Sequence, residues 1–413
     1  MGRRMHAGIP EGYKETPIGV IPEEWEIIKL GNKNHFKVIM GQSPSSSTYN
    51  ARGNGLPFLQ GNADFGFIYP HPSLYCSNPQ KIAEENDILI SVRAPVGEVN
   101  LSPEKVCIGR GLSAIRPKNG TSTRFYFHYL KSRLSDFNKL SSGSTFKAIN
   151  KADIESYLVP FPPRPEQRKI AAILSSVDAA IQETDAIIAQ TEQVKQGLMQ
   201  ELLTKGIGHT EFQETPVGRI PVGWTVVKLK ICLEERKELS TPPHNERRYI
   251  GLEHFDSGAS SFSRSDDGKD VKSNCSQFKK GDLLYGKLRP YLDKAAVSKF
   301  TGICSTEVVV FKVLGIMLSE LLISHFHSTK FIQYTNKNSY GTKMPRTSAK
   351  IVGEFKVPLP PLSEQQKIAA ILSSFDDRLE AEKEHRSRLE TVKKGLMQIL
   401  LTGKKRVKVD GHE

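Results

Sequence analysis

Apolar residues recur every three or four positions in two long, proline-free runs of this chain. In the first run, Ile170, Ile173, Leu174, Val177, Ile181, Ile188, Val194, Leu198 and Leu202 fall on one stripe. In the second, Ile368, Ile371, Leu372, Phe375, Leu379, Leu389, Val392, Leu396 and Leu400 do the same. This spacing predicts two amphipathic helices, each of roughly 38–40 residues and, at about 1.5 Å per residue, about 55–60 Å long. A proline bracket precedes each run, Pro160-Phe161-Pro162-Pro163-Arg164-Pro165 and Pro358-Leu359-Pro360-Pro361. Proline blocks helix upstream but is tolerated in a first turn. A long helix with a narrow stripe needs a partner, so the two are expected to pair antiparallel with one another. Residues 380–388 carry no apolar residue of the stripe, so the middle of the pair is expected to be wet or to seat another protein.

The rest of the chain alternates on a shorter scale. Brief β-branched and apolar runs, such as Asp87-Ile88-Leu89-Ile90-Ser91-Val92 and Asp282-Leu283-Leu284-Tyr285, are divided by Gly, Pro, Asn and Ser, the pattern of short strands and turns. Helices are expected over 122–140 and 317–334, where Phe125, Tyr126, Tyr129, Leu130, Leu134 and Phe137 mark a core-facing set in the first. These segments read as compact α+β domains.

The pattern occurs twice. VPFPPRPEQRKIAAILSS at 159–176 returns as VPLPPLSEQQKIAAILSS at 357–374, and ETPIGVIPEEWEIIKL at 15–30 returns as ETPVGRIPVGWTVVKL at 214–229, with nine of sixteen positions identical. A unit of about 200 residues has been duplicated, far longer than a solenoid repeat. The expected fold is α+β with a pseudo-twofold internal repeat: two similar α/β domains separated by two long antiparallel helices forming a coiled coil. The expected boundaries are 1–163 and 207–361 for the domains, 164–206 and 362–404 for the helices, and 405–413 for a basic tail. Trp25 and Trp224, in the repeated opening, are read as local core anchors.

Charge and chemistry narrow the function. With 58 Lys and Arg against 45 Asp and Glu, the net charge is +13, which favours a polyanionic partner. The tail Lys404-Lys405-Arg406-Val407-Lys408 reads as a solvated, frayed terminus in preference to a DNA-backbone contact. No run of 18 apolar residues and no signal-peptide core is present. The five scattered cysteines (Cys76, Cys107, Cys232, Cys275, Cys304) read as reduced thiols of a cytoplasmic protein. The sequence Gly281 to Leu288 approaches a P-loop, but Leu288 stands where a Mg²⁺-binding Ser or Thr is required. His325 and His327 lack further ligands, and Asp266, Asp267 and Asp270 read as a solvated loop in preference to a metal site. The chain reads as non-catalytic, with no cofactor and no metal.

The repeated P-x-P-P-x-x-E-Q-x-K-I-A-x-x-L after a Gly-Ser/Thr loop (Ser142-Gly143-Ser144-Thr145 and Gly341-Thr342), with the opening P-x-G-x-I-P-x-x-W, resembles the specificity subunit of type I restriction–modification enzymes. The resemblance covers essentially the whole chain. It implies that each domain reads one part of a split double-stranded DNA target. The paired helices would set the gap between the parts and dock modification subunits, two of them, which carry the methyl-donor site. An ATP-dependent restriction subunit would complete the nuclease. Residues 31–140 and 230–340 align poorly, so the two half-targets are expected to differ.

For DNA contact, cations and amides on loops are the expected groups: Gln60, Asn62, Arg93, Arg110 and Lys147 in the first domain, and Arg247, Arg248, Lys287, Arg289, Lys343 and Arg346 in the second. Two other functions compete. A stand-alone DNA methyltransferase or nuclease would bind S-adenosylmethionine or cut DNA unaided. A coiled-coil adaptor would need no cationic face, and the salt dependence of duplex binding separates it from a DNA reader.

Overall fold

The structure is a computed structural model that describes residues 9–141, 148–245 and 247–408. Lys147, the Ser142–Thr145 loop and residues 409–413 of the tail therefore lie outside the described residues. The chain divides into two compact units, residues 1–183 with 386–413, and residues 184–385.

Each unit contains one four-stranded and one five-stranded sheet. In the first unit the strand Ile88–Ser91 is buried along its whole length, between Val99–Leu101 and Leu112–Pro117 in an antiparallel sheet that Phe36–Met40 completes. Alternate side chains of a strand point to opposite faces, and here both faces are covered. Ile88 and Ile90 join Phe125, Tyr126 and Phe137 in the core under the helices, whereas Leu89 joins Leu59, Ile108 and Ala114 toward the second sheet. The second unit repeats this in Leu283–Gly286, with Leu283 and Tyr285 in one core and Leu284 in the other. A buried aspartate precedes each of these strands. Asp87 accepts Arg116 Nε and Nη2 (2.9 and 2.8 Å) and the Glu84 N–H (2.8 Å). Asp282 accepts Arg236 Nε (2.7 Å) and the Lys279 N–H (2.7 Å).

The five-stranded sheets share a parallel pair, Leu56–Leu59 with Val106–Ile108 and Arg248–Ile250 with Gly302–Ser305, but differ at one edge. The short strand Tyr49–Asn50 pairs with Leu74–Cys76, whereas its counterpart Leu239–Ser240 pairs with Cys275–Phe278 at the opposite edge of its sheet.

The helix expected over 122–140 is two helices, Thr123–Ser132 and Leu134–Ser141, and that expected over 317–334 is Ser319–Phe326 and Thr329–Lys337. The apolar spacing continues across each break because both helices of a pair bury residues in one core, Phe137 with Phe125 and Phe331 with Phe326. The break itself is a capping event. The Ser328 hydroxyl accepts the Phe331 N–H (3.3 Å), the bond of a helix N-cap.

The two long helices are Arg164–Lys205 and Leu362–Leu400. In the first unit Ile170 and Leu174 pack in one core with Leu396 and Leu400, and Asp178 pairs with Lys393. In the second unit Leu202 packs with Ile368 and Leu372, Glu192 pairs with Lys383 (2.9 Å) and Lys195 with Asp376. Within each unit, later positions on one helix meet earlier positions on the other, so the pairing is antiparallel. Asp178 and Asp376 are related by the repeat, as are Lys195 and Lys393 (376 − 178 and 393 − 195 both give 198). The duplicated sequence thus forms the same interhelical ion pair once in each unit.

The two repeated signatures meet at the start of each long helix. Strand Glu26–Lys29 pairs with Leu158–Phe161, and Thr225–Lys228 with Lys356–Leu359. This seats the Trp25 indole N–H on Glu166 (2.9 Å) and the Trp224 indole on Glu364 (2.8 Å). The adjacent glutamine ties the globular part to the helix. Gln167 accepts the Ser122 N–H (3.0 Å) and donates to Pro162 O (2.8 Å), while Gln365 accepts the Leu318 N–H (3.0 Å) and donates to Pro360 O (3.0 Å). The tryptophans are therefore joints between domain and helix as well as core anchors. A basic side chain completes each joint. Arg406 donates to both Glu166 oxygens (2.7 and 2.9 Å) and to Glu24 (2.8 Å), and His209 Nε2 lies 2.7 Å from Glu364. Burial alone would raise the Glu364 carboxyl, but the Ile207 N–H, the Trp224 indole and His209 hold it below the ordinary range. Arg406 overturns the reading of a frayed tail, because the Glu166 carboxylate fixes the segment and Val407 packs on the core.

The two ion pairs differ in solvation. The Asp178 side chain is 1% exposed and Asp376 31%, and Asp376 also accepts the Ser260 hydroxyl (3.0 Å). Lys393→Ala strands a buried carboxylate and should cost about 3–5 kcal/mol. Lys195→Ala should cost roughly 1–2 kcal/mol. Urea unfolding of the two variants measures the difference, and equal losses would refute the solvation argument.

Candidate nucleic-acid interface

In the first unit a ladder of backbone hydrogen bonds gathers several of the expected DNA-contact residues. The Gly111 N–H donates to Gln60 O (3.1 Å), the Val92 N–H to Gly111 O (2.9 Å), and the Ile149 N–H to Val92 O (3.0 Å). Gln60, Arg110 and Arg93 all project from this ledge and are exposed. Arg93 bridges to Ala148, the residue that follows Lys147. The glycines flanking Arg110 are required by close approach. A Cβ on Gly109 would lie 2.9 Å from the Gln60 Cα, and one on Gly111 would lie 2.4 Å from the Gln60 carbonyl. Only a Gly-Arg-Gly segment brings the Arg110 backbone against Gln60. Asn62 stands apart, because its side-chain amide donates to Glu98 (2.9 Å).

The second unit builds the same ledge with other side chains. The Lys287 N–H donates to Glu307 O (3.0 Å) and the Thr347 N–H to Lys287 O (2.9 Å). Leu288 bridges to Arg346, and the Arg289 N–H donates to Pro345 O (2.7 Å). Lys287, Arg289 and Arg346 are brought together in this way. Lys343 lies in the turn closed by the Tyr340–Arg346 pair. Arg346 Nε also donates to Glu307 (3.1 Å). Arg289 holds a left-handed backbone, φ 53°, a conformation that disfavours every residue with a side chain except Asn and Asp. Arg247 and Arg248 lie elsewhere in the unit, Arg248 opening the strand Arg248–Ile250 and Arg247 just before it. Arg247 donates to Ser240 (3.2 Å), and Arg248 donates to Ser265 (3.1 Å) and stacks on the Phe300 ring at 3.6 Å. Sequence reasoning missed the exposed apolar groups of this ledge, Tyr291, Tyr340 and Met344. Their nearness to Arg289 and Lys343 in the chain was the available signal, but exposure is not a sequence property.

Among the described residues, one group could approach a metal ion, Glu253, His254 and Asp266. The Gly251 N–H donates to His254 Nδ1 (2.8 Å), which leaves the proton on Nε2, facing Asp266 at 3.4 Å. That nitrogen then offers no lone pair to an ion. Asp267 turns onto the Lys269 N–H (3.0 Å). The P-loop-like segment is the strand Leu283–Gly286 followed by the single turn Pro290–Leu292, with no helix to receive a phosphate. His327 Nδ1 lies 2.8 Å from Asp293, and His325 is buried without a charged partner among the described residues. Among the described residues no helix is long and apolar enough to cross a membrane.

The chain is similar to several known proteins. A putative type I restriction enzyme MjaX specificity subunit from Methanocaldococcus jannaschii is 49% identical over 195 residues, a match spanning 47% of this chain and 46% of that relative. The type I restriction enzyme MjaVIII specificity subunit of the same organism is 27% identical, over 96% of this chain and 97% of its own. Among solved structures, a type I restriction–modification S subunit from M. genitalium aligns with a TM-score of 0.57 at 16% identity, covering 91% of this chain and 96% of that one. The likeness in structure is one of fold. The family model described as "Type I restriction modification DNA specificity domain" matches residues 22–193 and again 221–391, and the chain, built twice on that plan, belongs to this family.

Proposed function

We propose that this chain is the DNA-reading subunit of a type I restriction–modification complex and is itself non-catalytic. Each unit reads one part of a bipartite double-stranded DNA target. The long helices set the gap between the parts and dock two modification subunits, with an ATP-dependent restriction subunit joining the assembly in the cytoplasm. One observation carries the reading of an asymmetric target. The two units build the same backbone ledge but load it differently, with Gln60, Arg110 and Arg93 in one and Lys287, Arg289, Arg346 and Glu307 in the other. Base edges in the major groove are told apart by the donors and acceptors set against them, so unlike side chains on like scaffolds read unlike sequences. Arg and Lys suit guanine edges and phosphates, and Gln suits adenine. Lys343 and Arg247 are assigned to this face together with the ledge residues, and Lys147 to DNA contact. Arg248 and Asn62, held by internal partners, are assigned supporting roles.

Methylome sequencing of cells expressing this chain with its modification partner should show one split motif with two different halves. A palindromic motif would refute the asymmetry. Arg289 gives a residue-level test, because glycine relieves its left-handed backbone while removing the charge. Arg289→Gly should hold or raise the unfolding free energy, by up to about 1 kcal/mol. It should weaken duplex binding by roughly tenfold and lower the slope of log K against log salt by about one. Unchanged binding in a salt titration would remove Arg289 from the interface.

A further inference from the structure

A cleft of about 690 Å³, lined by none of the ledge residues, opens in the first unit. Lys131, Arg133, Lys393, Lys394 and Lys404 line it, with Phe67 at its floor. Glu390 also lines it, but Arg386 neutralises that carboxylate at 3.0 Å. Lys131 donates to Phe67 O (2.6 Å), and the Lys131 and Lys393 ammonium groups lie 4.9 and 5.1 Å from the centre of the Phe67 ring. Arg133 Nε is buried with no hydrogen-bond partner, and its guanidinium is 4.0 Å from Asp136. Among the described residues the side chains of Lys394 and Lys404 have no partner. Like charges gathered in a concave site repel one another. Burial, and then the neighbouring Lys393, bring the Lys131 ammonium down to about 8 against the opposing pull of Asp178, which pairs with Lys393, and of Glu98.

The internal repeat shows that the fold does not require this cluster. Ser132 and Ser328 make the same bond, each hydroxyl donating to the carbonyl three residues back (2.6 Å), which places Lys131 opposite His327 and Arg133 opposite Thr329. On the long helices the offset of 198 places Lys393 opposite Lys195, Lys394 opposite Gln196, and Lys404 opposite Gly206. Only the lysine of the interhelical ion pair is kept as a lysine. The second unit forms its joint, helix pair and core without the other four cations, and its His327 is paired with Asp293. The cations of the first unit therefore serve something other than the scaffold.

We infer that this cleft binds a small molecule carrying two or more phosphate groups. The volume is that of a small-molecule site and is too small for a duplex, whose major groove alone is about 12 Å wide. A planar guanidinium fork beside several ammonium point charges suits clustered phosphate oxygens, and an anion there relieves the mutual repulsion.

Isothermal titration of the full chain with inorganic tripolyphosphate, at physiological salt, tests this. The unaltered chain should bind one equivalent. Arg133→Thr and Lys394→Gln install the residues that the second unit tolerates at the same positions, so both should fold. Each should weaken tripolyphosphate binding at least tenfold, Lys394→Arg should restore it, and duplex affinity should stay unchanged in all three. The inference fails if the unaltered chain does not bind, or if Arg133→Thr and Lys394→Gln bind as well as it does. It also fails if those variants lose duplex affinity in parallel, which would assign the cations to the DNA face.

Discussion

A carboxylate at the first turn of each long helix accepts the indole N–H of a tryptophan about 140 residues earlier in the chain, and the attachment of each globular part to its long helix is built around that bond. Glu166 and Glu364 are too buried to stand as bare charges, since an isolated ionised carboxyl in a low-dielectric site is strongly disfavoured. Each is contacted by the indole and by a basic side chain just past the end of the other long helix, and Glu364 accepts a backbone N–H as well. The neighbouring glutamine then fixes the first recognition-domain helix by its backbone. The repeated Glu-Gln pair is thus a clamp, and the globular parts carry different loops on similar mounts.

Much of this was legible in the sequence, for identifiable reasons. The long helices have a period, a proline start and no interruption, all local properties. The duplication needs only comparison of the chain with itself. The resemblance carried by the two signatures then placed recognition domains and helices in order. What the sequence did not disclose depends on contacts across long separations. The break before Thr329 is hidden because the residues on both sides bury in one core. The role of Arg406 could not be read from a basic tail, since its partner Glu166 lies 240 residues away. The nearness of Gln60, Arg110 and Arg93 is a matter of sheet topology, and Gly109 and Gly111 are intelligible only once Gln60 is seen against them.

The two units show how far a duplicated scaffold can diverge while keeping its energetics. The ion pair between helices, the tryptophan clamp and the doubly covered central strand recur. The edge of the five-stranded sheet, the side chains of the ledge and the cationic cleft do not. Elements that bury charge or large apolar area resist change, because breaking one partner leaves the other uncompensated. Exposed loops carry no such penalty, and specificity is free to vary there.

The doubly covered strands bear on how folding chooses among alignments. A strand with one wet face cannot slip by one residue without exposing its apolar side chains, so solvent enforces its alignment. Ile88-Leu89-Ile90 and Leu283-Leu284-Tyr285 have no wet face, and a one-step shift would exchange apolar groups between two dry cores at modest loss. The discrimination falls to the ionised side chain just ahead of each strand. Only the native alignment brings Asp87 to the Arg116 fork, and Asp282 to Arg236. Any shifted alignment would trap a carboxylate in apolar surroundings, so a pair contributing little to net stability sorts the correct sheet from its near neighbours.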